Sequence, residues 1–207
     1  MSASRQDFAR LFPNVSRETL DALQVYHDLL VKWQRAVNLV SPKTLNEAWL
    51  RHFADSAQVA SYIPQGAKTL YDLGSGAGFP GAVLAIMRPD LEVSLVESDE
   101  KKAQFLRSVS RETSAAFAVV NERIEAAAVH LPAPDVISAR ALASLDKLCA
   151  YIKPWTSANP ALEALFLKGG RAAEEIDEAR VNHGFEYDLH PSLSADEGSI
   201  LHLKNIR

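Results

Sequence analysis

The stretch Thr69-Leu-Tyr-Asp-Leu-Gly-Ser-Gly-Ala-Gly-Phe-Pro-Gly81 decides how this chain folds. It joins a short apolar run to a helix-forming run through a turn that contains closely spaced glycines. Glycine reaches positive φ angles without strain, and its missing side chain leaves room for a ligand at the edge of a sheet. Pro80 suits the first turn of a helix, where its missing N–H costs nothing. The stretch therefore predicts a strand, a ligand-binding turn and a helix.

Two common ligands fit this turn. The spacing Gly76-x-Gly78-x-x-Gly81 matches the dinucleotide fingerprint, which is typical of nicotinamide and flavin enzymes. Counted from Asp72, the pattern acid-x-Gly-x-Gly-x-Gly resembles the first motif of class I S-adenosylmethionine-dependent methyltransferases. That ligand has no pyrophosphate, and its ammonium and sulfonium groups favour a nearby carboxylate. Glu97 ends the next apolar run, where it can accept hydrogen bonds from ribose hydroxyls of either ligand. Asp72 favours the methyl donor.

After the glycine turn, strand patterns and helix patterns alternate. The predicted strands are 69–73, 92–96, 116–120, 136–138, 162–167, 185–189 and 200–203. The predicted helices between them are 81–87, 101–112, 145–152 and 172–180. Such alternation predicts a parallel sheet with helices on both faces, and the two last strands read as an antiparallel pair. We therefore expect an α/β fold of the class I methyltransferase (Rossmann-like) type, with a seven-stranded, mostly parallel sheet and an antiparallel strand near the C-terminus.

The residues before the glycine turn form a helical cap in this prediction. An amphipathic helix begins after the plausible N-cap Ser16, carries apolar residues every three or four positions, and ends before Ser41-Pro42. A second helical stretch covers 48–60, and a turn follows it. We expect an N-terminal cap over 1–66 and a cofactor-binding core over 67–207, packed as one globular unit.

Composition limits the classes of function. The chain is 47% apolar and 23% charged, as is usual for a globular protein, and a net charge of −4 argues against broad nonspecific binding of nucleic acid. Cys149 is the only cysteine, so no internal disulfide can form. The chain shows neither a signal peptide nor an apolar run long enough for a membrane, and a cytoplasmic protein is expected. The six histidines show no spacing typical of a metal site, and no metal is expected.

The region after the fourth predicted strand narrows the methyl acceptor. Enzymes that methylate exocyclic base amines commonly carry Asn/Asp-Pro-Pro-aromatic there, whereas this chain has Ser138-Ala-Arg-Ala141. Cytosine C5 methylation needs a Pro-Cys nucleophile, and Cys149 follows a leucine. A ring nitrogen such as guanine N7 already presents a lone pair, so positioning is enough. His52 and Asp55 could share a helix face for acid-base chemistry or simply tie that helix to its neighbour.

Several short segments, in order, resemble one family. They are Lys32-Trp33, Asn38-Leu39-Val40, Arg51-His52, Asp55-Ser56, the stretch 72–81, Leu95-Val96-Glu97, Lys101-Lys102, Arg123-Ile124-Glu125, Ser138-Ala139-Arg140 and Lys168-Gly169. Together they resemble the RsmG (GidB) family of bacterial methyltransferases, which act on guanine N7 of small-subunit ribosomal RNA. The resemblance covers nearly the whole chain.

The resemblance implies a set of site residues. It places Gly74, Phe79, Ile124, Glu125 and Arg140 against S-adenosylmethionine, with Ile124 and Glu125 beside the adenine. The predicted cofactor site is completed by Asp72, Gly76, Gly78 and Glu97.

Two arginines are the candidate catalytic residues. Arg123 and Arg140 would lie near the methyl donor and the RNA phosphates and position the substrate, with no general base required. The alternative for either arginine is a surface ion pair with Glu122 or Asp146.

The implied partner is 16S ribosomal RNA, presented in a decoding-region loop of small-subunit particles rather than as naked RNA. No membrane and no obligate protein partner are implied. Two other functions stay open from the residues alone. One is a nicotinamide-dependent oxidoreductase, although no catalytic Tyr-Lys or His-Asp arrangement is found for it. The other is a noncatalytic ribosome-assembly factor on the same fold.

Overall fold

A seven-stranded β-sheet forms the centre of the chain, which a computed structural model describes over residues 4–194 and 197–207. The strands are β1 (Thr69–Leu73), β2 (Glu92–Val96), β3 (Phe117–Val120), β4 (Val136–Arg140), β5 (Glu163–Lys168), β6 (Glu186–Pro191) and β7 (Ser199–Lys204). Their order in the sheet is β3-β2-β1-β4-β5-β7-β6. The first five strands are parallel, and β7 is antiparallel to both β5 and β6. The predicted fold is confirmed.

The strand order fixes where a ligand can bind. From β1 the chain adds β2 and β3 on one side, and it then crosses to place β4 on the other side of β1. Loops leaving β1 and β4 therefore diverge and open a crevice at the carboxyl ends of the strands. The glycine turn follows β1 and lies at this crevice.

Helices cover both faces of the sheet. They are α1 (Arg5–Leu11), α2 (Arg17–Trp33), α3 (Pro42–Leu45), α4 (Asp55–Gln58), α5 (Gly81–Met87), α6 (Glu100–Thr113), α7 (Ile124–His130), α8 (Leu145–Ala158) and α9 (Ala172–Arg180). Within the described ranges, no helix has the length and apolar character that a bilayer crossing requires. The sequence patterns did not predict α1, α3 or α7, none of which buries more than two residues. Ser4 begins α1 with a capping box to Asp7.

The long cap helix is shorter than predicted. α2 ends at Trp33 instead of continuing to Ser41-Pro42. The amide of Gln34 explains the difference, since its Oε1 accepts the backbone N–H groups of Leu39 and Val40, each at 3.0 Å. Its Nε2 donates to the Val40 carbonyl at 2.8 Å. These bonds satisfy backbone groups outside a helix, so the chain can turn there.

The second helical stretch of the cap is confirmed but irregular. It begins as a π-helical turn, Trp49–Ala54, continues as α4, and ends as the 3₁₀ turn Val59–Tyr62. π-helical turns are frequent at functional sites.

An aromatic cluster joins the cap to the glycine turn. The ring of Tyr26 in α2 stacks on Phe79 at 5.3 Å and meets Phe53 edge-on at 5.0 Å. The Tyr26 hydroxyl donates to the carbonyl of Ala77 inside the glycine turn. The cap therefore supports the turn directly. The division into a cap over 1–66 and a core over 67–207 stays a prediction.

Replacing Tyr26 by phenylalanine is expected to destabilise the protein. The change leaves the Ala77 carbonyl without its donor in a buried place, which costs about 1–3 kcal/mol of unfolding free energy. Urea unfolding followed by circular dichroism measures the loss. Tyr62→Phe is the matched control, because Tyr62 is only partly buried and packs its ring on His190, a contact that phenylalanine can keep. Equal stability of the two variants would contradict the role given to the Tyr26 hydroxyl.

Candidate active site

The glycine turn after β1 adopts the predicted backbone. Gly74, Gly76 and Gly78 have φ angles of 60°, 55° and 90°. A Cβ on Gly81 would lie 2.5 Å from the Cβ of Asp72, so only glycine lets α5 begin this close to β1. The turn thus brings the first turn of α5 against the end of β1, as in other nucleotide-binding folds.

Asp72 lies beneath the turn, fully buried. Its Oδ1 accepts a hydrogen bond from the Ser138 hydroxyl at 2.7 Å, and its Oδ2 has no hydrogen-bond partner among the described residues. Burial raises the pKa of Asp72 to about 6, although Ser138, Ser75, the backbone N–H of Gly81 and the charge of Arg140 all act in the opposite direction. A carboxylate in this position favours a positively charged ligand above the turn. It lines neither of the two cavities described below.

A smaller cavity opens beside the turn, at the carboxyl ends of β1 and β2. Its volume is about 260 Å³. The predicted site residues that line it are Gly74, Gly76, Glu97, Arg123, Ile124 and Glu125. The structure therefore brings most of the predicted cofactor residues together around one cavity.

Glu97 is held rigidly in the smaller cavity. Its Oε2 accepts the backbone N–H of Gly76 at 2.8 Å, and its Oε1 accepts that of Asp99 at 2.7 Å. Each carboxylate oxygen keeps a lone pair for a further donor. The carboxylate can therefore accept hydrogen bonds from a ribose diol, as predicted from its position after β2.

The start of α7 forms the far wall of the smaller cavity. Ile124 is buried, whereas Arg123 and Glu125 are exposed. The acid next to Arg123, Glu122, bonds instead to the imidazole of His130 at 2.9 Å. The alternative ion pair with Glu122 is therefore absent for Arg123 in the described part of the chain. The apolar side chain of Ile124 is suited to packing against an adenine ring.

A larger cavity of about 680 Å³ lies next to the smaller one, between the turn Trp49–Ala54 and the carboxyl ends of β4 and β5. Ala141 and Leu142 line both cavities and form their common wall. Arg140 lines the larger cavity and not the smaller one, and its contact with the cofactor stays a prediction.

Arg140 is held in place by the cap. Its Nη1 donates to the backbone carbonyl of Arg51 at 3.1 Å, and its Nη2 bonds to Nδ1 of His52 at 2.7 Å. The Asp55 carboxylate lies 3.9 Å from Nη1, and the guanidinium carbon lies 5.1 Å from the ring centre of Phe79. The alternative of a surface ion pair with Asp146 does not describe Arg140.

Gly78 and Phe79 line neither cavity. A Cβ on Gly78 would lie 2.6 Å from the Tyr26 hydroxyl. Phe79 is buried between Tyr26 and His52. Both residues pack against the cap and not against a cavity in this structure. The contact of Phe79 with the cofactor stays a prediction.

The sequence patterns assigned no role to the pair Lys168 and Glu175. The Lys168 ammonium donates to the Ala143 carbonyl at 2.9 Å and to Oε2 of Glu175 at 2.7 Å. The same carboxylate oxygen accepts the backbone N–H of Leu145 at 2.8 Å. This pair holds the segment 141–145, which includes the common wall. The only signal in the sequence was the lysine that precedes Gly169-Gly170 at the end of β5.

Metal ligands do not cluster in residues 4–194 and 197–207, where no group of three or more His, Cys, Asp or Glu side chains is arranged for an ion. The expectation that no metal takes part stays a prediction.

The fold is shared with solved methyltransferase structures. A SAM dependent methyltransferase from Aquifex aeolicus superposes with a TM-score of 0.58 at 14% identity, covering 80% of this chain and 94% of that chain. An rRNA methylase from Streptococcus thermophilus gives a TM-score of 0.55 at 11% identity, covering 73% of this chain and 95% of that one. At these identities the likeness concerns the fold alone.

Sequence comparison is more specific. The ribosomal RNA small subunit methyltransferase G of Parvibaculum lavamentivorans is 47% identical, over 93% of this chain and 86% of that protein. The protein of the same name from Paramagnetospirillum magneticum is also 47% identical, over 93% of this chain and 91% of its own length. The family model GidB, described as rRNA small subunit methyltransferase G, matches residues 19–203. The chain therefore belongs to the rRNA small subunit methyltransferase G family, which confirms the resemblance seen in its motifs.

Proposed function

We propose that this protein transfers a methyl group from S-adenosylmethionine to N7 of a guanine in 16S ribosomal RNA, within small-subunit particles. As a member of its family the protein is a methyltransferase of small-subunit ribosomal RNA that uses S-adenosylmethionine. The guanine N7 atom, the loop and the particle are the parts we propose. One observation carries the proposal: two cavities meet at the common wall of Ala141 and Leu142.

The smaller cavity fits the methyl donor. Glu97 would hold the ribose, Ile124 would lie against the adenine, and the backbone of Gly74 and Gly76 would face the rest of the ligand. The buried carboxylate of Asp72 lacks a partner at Oδ2 among the described residues, so its charge suits a cationic ligand above it. When bound, S-adenosylmethionine supplies an activated methyl group on a positively charged sulfur.

The larger cavity fits an acceptor base that loses no proton. The imidazole that lines the larger cavity, that of His52, has its Nδ1 lone pair occupied by Arg140, a group that can only donate. Burial and the charges of Arg140 and Arg51 lower the pKa of His52 to about 3, so it is a poor base. Guanine N7 carries no proton, and positioning alone can promote its methylation. Burial also raises the pKa of the Cys149 thiol to about 12, which fits the absence of a cysteine mechanism.

Arg140 would meet the RNA. Arg140 lines the larger cavity, and arginine binds phosphates through paired N–H groups, or guanine O6 through a single N–H that leaves N7 free for the methyl group. Arg123, at the rim of the smaller cavity, is exposed and would contact the RNA backbone. Both roles remain part of the proposal.

The overall charge fits a structured substrate. A net charge of −4 gives weak attraction for naked RNA, so the shape of a ribosomal particle would supply much of the recognition. Ribosome assembly in the cytoplasm is the setting that this proposal implies. The nicotinamide-dependent oxidoreductase and the noncatalytic factor lose their support, because the chain belongs to a methyltransferase family.

The proposal is tested with small-subunit particles from cells that lack the gene. We expect the purified protein to transfer radiolabelled methyl from S-adenosylmethionine to the particles, and nuclease digestion followed by mass spectrometry to show 7-methylguanosine. Naked 16S RNA, as the control substrate, should react at least about tenfold more slowly. Methylation of any other atom, or none, would overturn the guanine N7 assignment. Equal rates on the two substrates would overturn the proposal that the RNA is recognised within small-subunit particles.

A further inference from the structure

We propose that His52 and Asp55 are positioning residues that hold the guanidinium of Arg140 toward the larger cavity during methyl transfer. This inference rests on the proposed function, because it gives the RNA-facing arginine a fixed direction. The chemistry at guanine N7 requires neither an imidazole nor a second carboxylate, so these two side chains need another explanation.

The hydrogen bonds around His52 all donate in the same direction, from Arg140 through His52 to Thr44 and then to the Ser41 carbonyl. Arginine has only donors, so Nδ1 of His52 accepts from Arg140 and the imidazole proton is on Nε2. Nε2 lies 2.9 Å from the hydroxyl of Thr44 and donates to it, because that hydroxyl donates to the Ser41 carbonyl, also at 2.9 Å. Each group in this hydrogen-bonded series can act only as the donor or only as the acceptor in each bond. The series therefore selects a single neutral tautomer of His52.

The imidazole is locked by its surroundings as well. His52 is 7% exposed, and its ring stacks on Phe79 with centres 5.1 Å apart. Arg140 lies over the same Phe79 ring. The histidine and the arginine thus share one aromatic support, and neither can turn freely. Fixed side chains of this kind lower the entropy lost when a substrate is bound.

Asp55 adds charge without a direct bond. Its Oδ1 accepts a hydrogen bond from the Ser192 hydroxyl at 2.6 Å. Its Oδ2 lies 3.9 Å from Nη1 of Arg140, beyond hydrogen-bond distance. The side chains of Arg140 and Asp55 are 18% and 13% exposed, so the attraction between them is only partly screened.

The π-helical turn supplies the third contact. The backbone carbonyl of Arg51, in the turn Trp49–Ala54, accepts from Nη1 of Arg140 at 3.1 Å. The contacts of Nη1 and Nη2 leave the remaining donors of the five-donor guanidinium for a ligand in the larger cavity. The cap therefore binds some of the N–H groups of Arg140, and the RNA would bind the others.

A double-mutant cycle tests this coupling. His52→Leu removes the acceptor at similar volume, and His52→Asn keeps an acceptor near the place of Nδ1. In single turnover on small-subunit particles, we expect His52→Leu to slow methylation about 10- to 100-fold and His52→Asn to recover most of the rate. The dissociation constant for S-adenosylmethionine should change less than about threefold. Added to Arg140→Ala, His52→Leu should cause no further loss.

His27→Leu is the matched control, since His27 lies in the same cap and its neighbours are Asp28, Trp49 and Phe53 rather than Arg140. It should react at the wild-type rate. A loss from His52→Leu that simply adds to that of Arg140→Ala, or a His52→Asn variant as slow as His52→Leu, would overturn the proposal.

Two further outcomes are distinguishable. If His52→Leu does not fold, Asp55→Asn takes its place in the same cycle, and additive losses again overturn the proposal. If wild-type protein methylates no guanine N7, the proposed function fails first. Normal wild-type methylation with additive losses overturns only the positioning role.

Discussion

Valine in place of Gly76 is expected to abolish binding of S-adenosylmethionine while the sheet stays folded. Gly76 has a φ angle of 55°, a conformation that β-branched residues avoid at a cost of about 1–3 kcal/mol. Its backbone N–H donates to Oε2 of Glu97, so relief of that strain would move the proposed ribose-binding carboxylate. The added side chain also occupies the cavity of about 260 Å³. Isothermal titration should show affinity at least about 100-fold weaker.

Gly66→Val is the matched control for this experiment. Gly66 has a φ angle of 90° and open space around the place of a Cβ, so valine there brings backbone strain without entering a cavity. Both variants should lose similar unfolding free energy in urea, and only Gly76→Val should lose the ligand. If the two variants bind S-adenosylmethionine equally well, the smaller cavity is not the cofactor site.

The second large effect is expected at Asp72, as a change in how cofactor binding depends on pH. Burial raises the pKa of Asp72 from 3.8 to about 6. A cationic ligand above the turn favours the ionised carboxylate and lowers this pKa again. Affinity of the wild-type protein for S-adenosylmethionine should therefore rise as pH increases from about 4 to about 6.5. Asp72→Asn should lose this rise and bind at least about tenfold more weakly at pH 7.5.

The unfolding free energy gives an independent check, because it should fall with rising pH where the affinity for S-adenosylmethionine rises. Because the folded pKa of Asp72 is the higher one, the native state binds more protons between pH 3.8 and about 6, and stability falls as pH rises through that window. A difference of about two pKa units corresponds to about 3 kcal/mol. Without ligand, Asp72→Asn should gain about this much relative to wild type between pH 4 and 7 in urea unfolding. Parallel pH profiles for the two proteins, in binding or in stability, would contradict the role given to this carboxylate.

The sheet could be predicted from the sequence because its signals are local. Each parallel strand is a short apolar run between turn residues, and the glycines after β1 require positive φ angles whatever surrounds them. The short helix α7 was not predicted, because only Ile124 and Ala127 in it are buried and its sequence shows no clear apolar period. The end of α2 was not predicted either, since it depends on the amide of Gln34 folding back onto residues 39 and 40.

The candidate site could be predicted only in part. Glu97 directly follows β2, and Ile124 and Glu125 begin α7 shortly after β3, so the topology carries all three to one cavity. The direction of Arg140 depends on how the cap meets the end of β4, and neighbouring residues do not encode it. The pair of Lys168 and Glu175 joins β5 to α9 across a folded loop, a contact that spacing cannot show. His52 and Asp55 were noticed for their spacing, but their partner was visible only in three dimensions.

The common wall of Ala141 and Leu142 would separate the proposed cofactor site from the proposed acceptor site. A Cβ on Gly74 would lie 2.5 Å from the tip of Leu142, so this leucine rests directly on the glycine turn. A molecule that pushes Leu142 from one side changes the room available on the other. If occupancy on one side shifts Leu142 and thereby changes affinity on the other, the two affinities must change by equal factors.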